Sequence, residues 1–128
     1  MTAATRHHHA ATIRACFEAY RTKDRAAIEP LLAPDLRFTS PYDDAIDRKT
    51  YFERCWPHSA RFIEHVVERI VADGDAAAFV TYLARVEDGS AFRNTEYMTF
   101  DVEGRIRTVH VYFGESYRDG IFTAQKPG

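Results

Sequence analysis

The spacing of hydrophobic residues along this chain changes once, near residue 60. Between residues 6 and 22, Ile13, Cys16, Phe17 and Tyr20 recur at i, i+3, i+4 and i+7, an apolar stripe on one side of an α-helix. Arg14, Glu18 and Arg21 fall on the solvated side. Asp24 reads as the N-cap of a second helical face carrying Ile28, Leu31 and Leu32. Pro30 removes a backbone donor there, which predicts a kinked helix of barely two turns. Residues 36–39 read as a short strand ended by Ser40-Pro41, and residues 42–46 as a loop. Asp47 caps a third helix carrying Tyr51, Phe52, Cys55 and Trp56. It should stop near Pro57, because the residue before a proline avoids helical angles.

After Ser59 the period falls to two. Asp73-Gly74, Asp88-Gly89 and Glu103-Gly104 mark tight turns, bounding strands at about 62–72, 76–87, 91–102 and 105–113 in an antiparallel meander. Helices first and a meander second predict one α+β domain over 1–128, with the helices on one sheet face. Closing the hairpins on these dipeptides sets Glu96 opposite Thr81 and Val111, and Asn94 opposite Leu83 and Phe113. The inner face then carries Phe79, Thr81 and Leu83, then Phe92, Asn94, Glu96, Met98 and Phe100, then Val109, Val111 and Phe113. The first hairpin adds Phe62, Glu64, Val66, Glu68 and Ile70. His65, Tyr82 and His110 fall on the opposite face. A turn with an odd number of residues would exchange the two faces of a strand.

Composition narrows the function classes. Seventeen Lys and Arg against 19 Asp and Glu give a formal charge of −2, with no basic stripe for nucleic acid. No apolar run reaches the roughly 18 residues of a membrane span, and the start of the chain lacks the apolar core of a secretory signal. A soluble cytoplasmic protein is the expectation. Cys16 and Cys55 show no CxxC spacing, so they read as small buried hydrophobes. No metal site and no cofactor motif is apparent. His7, His8 and His9 run straight into the apolar stripe and read as helix residues on a solvated or interfacial side.

Two places carry candidate chemistry. Glu96 and Asn94 interrupt a face that is otherwise apolar. An unpaired buried carboxylate is costly, so Glu96 must be paired, neutral or facing a cavity; in an apolar pocket its pKa rises, which suits a general acid near neutral pH. The second place is Tyr42-Asp43-Asp44, which lies over one end of the sheet. Its two acids fit a base and its orienting partner, and equally fit turn residues near a helix N-terminus. Phe17, Trp56, Met98 and Phe113, with Tyr42, are the candidates to line a pocket. The opposite sheet face, with Ile63, Val67, Val71, Val80, Tyr82 and Tyr112, is a broad apolar surface that a second copy of the chain would cover.

The element order, residues 31–41 (LLAPDLRFTSP) and residues 100–106 (FDVEGRI) resemble the nuclear transport factor 2-like superfamily, and within it the SnoaL-like proteins, relatives of ketosteroid isomerases, polyketide cyclases and limonene epoxide hydrolases. The resemblance covers about residues 8 to 117. It implies three helices packed on a curved, mainly antiparallel sheet forming a cone around an open-ended apolar cavity. Compared with the ketosteroid isomerases, Ser40 stands where the base aspartate precedes the loop proline. The helix-borne oxyanion-hole tyrosine falls near Cys16 and Phe17, where no phenol is present. Glu96 matches the carboxyl that is kept protonated in an apolar site. The resulting expectation is a pocket for a small apolar molecule. Glu96 would move a proton, Asn94 would orient the ligand, and Asp43 or Asp44 would act as base in an isomerisation, cyclisation or hydrolysis. A non-catalytic ligand-binding module and a dimeric interaction domain are the alternatives.

Overall fold

The computed structural model describes residues 3–124. Helix α1 (Ala3–Thr22) leads into α2 (Arg25–Ile28) and a 3₁₀ turn at Glu29–Leu31, then strands β1 (Leu32–Ser40) and β2 (Asp43–Asp47). Helix α3 (Arg48–Arg54), a 3₁₀ stretch at Trp56–Arg61, β3 (Phe62–Asp73), β4 (Ala77–Val86), β5 (Ser90–Phe100), β6 (Ile106–Arg118) and β7 (Ile121–Thr123) follow. Both anticipated caps are present: Asp24 accepts from Ala27 N at 3.1 Å, and Asp47 from Thr50 N at 2.9 Å. Pro30 ends the second helix after one turn, and Pro57 limits α3 to Arg54, so Cys55 and Trp56 lie beyond it.

The sheet runs β2-β1-β6-β5-β4-β3, with β7 on β6; β1 and β6 are parallel and every other pair is antiparallel. Residues 42–46, expected as a loop, instead belong largely to β2, which folds back on β1. Strand β1 is longer than the four residues anticipated. Its register on β6 breaks between Leu32 and Arg37, around Pro34, which cannot donate to the ladder.

The register of β5 on β6 is as expected over its central part, with Glu96 opposite Val111 and Asn94 opposite Phe113. That of β4 is not. Glu87, Asp88 and Gly89 form a three-residue loop, with Gly89 in the left-handed region at φ +90° and its N–H bonded to Val86 O at 3.1 Å. Glu96 therefore pairs with Val80 and Asn94 with Tyr82. Phe79, Thr81 and Leu83 turn outward, while Ala78, Val80, Tyr82, Ala84 and Val86 are buried. Register shifts in β3, after Phe62 and after Val67, likewise turn His65 and Val67 inward in place of Glu64, Val66 and Glu68.

The core forms where the α1 stripe meets this inner face. Ile13, Ile28, Leu36, Val80 and Ile106 have at most 1% of their surface accessible. Helix α1 begins well before the stripe. His9, expected on a solvated or interfacial side, is buried, its ring stacked on Phe100 with centroids 3.9 Å apart; burial, chiefly, lowers its pKa. His7 and His8 are exposed. Ile13→Ala removes a fully enclosed side chain, and denaturant unfolding should show a loss of about 2–5 kcal/mol.

Candidate functional site

Between α1, α3 and the inner sheet face lies an open cavity of about 960 Å³, near the upper end of the range for small-molecule sites. Its wall is chiefly apolar and aromatic, including Phe17, Leu36, Phe38, Met98, Val109 and Val111. Met98 and Phe113 line the hollow without filling it.

Glu96 reaches this cavity because β5 alternates and its even-numbered residues face the helices. It is half-buried, and it lines the hollow. Tyr82 stands beside it on β4 and donates its hydroxyl hydrogen to Glu96 Oε2, while Asn94 Nδ2 donates to Tyr82 Oη at 3.1 Å. The three residues form one directional chain, Asn94 to Tyr82 to Glu96. Desolvation pushes the Glu96 carboxyl up to about 7, against the opposing effect of the Tyr82 hydrogen bond. Near neutral pH it is thus populated in both forms.

A second hydroxyl pair lies in the same wall. Tyr20 on α1 and Tyr51 on α3 are hydrogen-bonded to each other through their phenolic oxygens, and both line the cavity. Two hydroxyls joined by one bond keep one O–H over. Burial raises both phenols well above their ordinary range. His65 completes the inner wall among the rings of Phe17, Tyr20, Phe62 and Tyr82, with centroids 4.6–5.5 Å away. Its Nδ1 is enclosed without a hydrogen-bond partner, and burial lowers its pKa to about 4. The usual order is inverted: between these values the carboxyl is protonated while the imidazole is neutral.

The loop acids divide. Asp43 lines the cavity, accepts from Ser40 Oγ at 3.1 Å and has Arg54 Nη2 2.8 Å from its Oδ1, an ion pair out of hydrogen-bond alignment. Asp44 is exposed and does not line the hollow. Trp56 is buried against Tyr20 and Phe52 and does not line it either. Tyr42 and Phe113 both line the mouth, their rings 5.6 Å apart. At this end β6 bulges between Phe113 and Ser116, and a Cβ on Gly114 would lie 2.7 Å from Arg93 O, so only glycine fits there. Among the described residues, no group of three or more His, Cys, Asp and Glu is placed to hold a metal ion. No described helix is long and apolar enough to cross a membrane.

The outward expectation for Tyr82 and His65 rests on a two-residue turn at Asp88-Gly89, whereas the loop has three residues. The signal available was Gly89 as the third residue of a longer loop, its left-handed position in three-residue hairpins. Tyr20 and Tyr51 carry no such signal, since a phenol at a helical stripe position reads as core until its hydroxyl partner is known.

Residues 13–109 match the SnoaL-like domain model, and the chain belongs to that family. No curated protein matches it. Among solved structures it is similar to an NTF2-like protein of unknown function from Burkholderia pseudomallei K96243 (19% identity, TM-score 0.70, covering 84% of this chain and 91% of that one). Another of unknown function, from Cytophaga hutchinsonii ATCC 33406, shares 18% identity at a TM-score of 0.69, covering 83% and 89%. An LEH-like epoxide hydrolase from M. tuberculosis shares 23% identity at 0.67, covering 84% and 83%. At these identities the likeness shows the fold alone.

Ionisation of Glu96 gives a stability signature. Its folded pKa of about 7 lies above the ordinary 4.5, so the pH-dependent cost is absent below pH 4.5 and grows as pH rises towards 7. Glu96→Gln should therefore be more stable than the parent at pH 8, by about 2–3 kcal/mol, and the difference should vanish below about pH 4.5. His65 acts in the opposite sense, costing stability as pH falls from 6.5 towards 4. Urea titrations at pH 4.5, 6 and 8 measure both.

Proposed function

We propose that the cavity binds a small, mainly apolar molecule bearing a carbonyl or similar oxygen, and that the protein acts on it by acid/base chemistry from its own side chains. The observation that carries this reading is a carboxyl group inside an apolar hollow, one oxygen held by Tyr82, with a pKa near 7. Such a group hydrogen-bonds a developing oxyanion, gives it a proton and takes it back without leaving its place. The remaining O–H of the Tyr20–Tyr51 pair offers a second donor in the same cavity. Asp43 is the cavity-lining carboxylate that would take a proton from the ligand. Proton transfer beside a carbonyl, as in an isomerisation, uses all of these groups; Asn94 acts through Tyr82 as a positioning residue.

A binding module without turnover is the second reading, favoured by one observation: Asp43 is already engaged by Ser40 and Arg54. The two readings separate by α-proton exchange of a cyclic ketone in D₂O, followed by NMR. An enzyme should accelerate exchange, and Glu96→Gln, which keeps a hydrogen-bonding group but cannot transfer a proton, should reduce it by about 10²–10⁴-fold while binding persists. Binding of the ketone with no acceleration by the parent protein would leave the module reading.

We also infer that the outer sheet face seats a second copy of the chain. Ile63, Val66, Val71, Phe79 and Tyr112 are exposed there, and the helices pack on the other face. Phe79, against Tyr97 with centroids 4.6 Å apart, is the residue to test. Phe79→Glu should shift sedimentation from dimer towards monomer, and an unchanged dimer would put the interface elsewhere.

A further inference from the structure

The inner end of the cavity offers phenolic donors and one titrating acid, whereas its mouth is lined by a different chemistry. Arg54, His58 and Arg61 all line it, and all come from one stretch, the end of α3 and the 3₁₀ segment after it. That segment buries Trp56 and Ser59, which fixes its orientation and leaves positions 54, 58 and 61 exposed. Their hydrogen-bonding capacity is largely unused. Arg54 places one nitrogen 2.8 Å from Asp43. Arg61 lies 3.6 Å from Asp88, beyond hydrogen-bond length, and that carboxylate also has Arg118 at 3.8 Å and accepts from Ser90 N at 2.9 Å. His58 has no side-chain partner among the described residues. A guanidinium carries five N–H donors, so most of those at the mouth face no acceptor among the described residues. Arg93, away from the mouth, instead holds two carboxylates, Glu68 and Glu115, at 2.9–3.1 Å.

We propose that the molecule taken by this cavity is an anionic amphiphile, its carboxylate held at the mouth by Arg54, His58 and Arg61 and its apolar body extending towards Glu96. The proposal rests on the reading of the hollow as a ligand site and adds the ligand's charge and direction. A carboxylate at the mouth keeps part of its hydration and gains charge-assisted, fork-shaped hydrogen bonds. The same carboxylate at the inner end would sit beside Glu96, where two anions cannot both stay ionised. The head-out orientation follows from that difference. It leaves the far, oxygenated end of the molecule to Glu96 and the phenols.

Decanoate and 1-decanol have the same chain length and differ in charge, so they form the probe pair. Titration calorimetry at pH 7.5 should find decanoate bound about tenfold more tightly by the parent protein, the scale of one charge-assisted contact, with the advantage shrinking as salt is raised. In the double variant His58→Gln, Arg61→Gln, both exposed positions, decanoate should fall to within about twofold of decanol, which is what a screened surface charge retains. Decanol binding itself should be unchanged, which also reports that the variant is folded. Equal or tighter binding of decanol by the parent overturns the anionic head while the ligand cavity stands. A decanoate preference that survives the double substitution overturns the part given to His58 and Arg61. Failure of both probes to bind the parent overturns the cavity reading and this proposal together.

Discussion

A carboxyl group held in an apolar hollow constrains most of what surrounds it. Water is the usual solvent of a carboxylate, and no side chain of opposite charge replaces it at Glu96. The structure instead offers one phenolic hydrogen from Tyr82, itself fixed by Asn94. That is enough to orient the group and too little to hold it fully ionised, which is why its proton affinity sits near neutrality. The surrounding phenols and thiol feel the same low polarity: Cys16, Tyr20, Tyr51 and Tyr82 are all driven towards their protonated forms, with Glu96 contributing to each shift. The inner cavity thus holds neutral hydroxyl donors around a single titrating acid, and the permanent charges gather at its mouth.

The fold supplies this arrangement through three elements whose local chemistry is ordinary. An amphipathic α1 brings Phe17 and Tyr20 over the sheet. The capped, proline-limited α3 places Tyr51 within reach of Tyr20. Strands β4 and β5, paired Tyr82 to Asn94 and Val80 to Glu96, bring the acid and its partner side by side. Family membership accounts for the scaffold, while function lives in the side chains set on it. Here Ser40 occupies the place of the base expected from the resemblance, and its hydroxyl is bonded to Asp43, the cavity-lining acid of the loop.

Much of this was legible in the residues alone, and the exceptions have identifiable causes. The α1 stripe, both aspartate caps and the inward set of β5 and β6 follow from period and capping chemistry, which is why Glu96, Asn94, Met98 and Phe17 face the hollow. Strand β4 failed because an Asp-Gly pair is compatible with loops of two or three residues, and counting differs by one. Asp44 and Trp56 failed for a different reason. Adjacent residues in an extended segment point opposite ways, so only one of the two acids can enter the hollow, and an indole just past a helix end finds its packing in the core. The tyrosine hydroxyl pair was invisible because hydrogen bonding between residues 31 positions apart leaves no periodic trace.

The three-residue connection between β4 and β5 acts on the cavity from a distance. Parity alone decides which side of β4 looks inward. A slip of β4 by one residue along β5 would present Phe79, Thr81 and Leu83 to the hollow and withdraw the Tyr82 phenol, without a single substitution. The left-handed glycine that closes this exposed hairpin thus decides, from outside the hollow, which chemistry its interior wall displays.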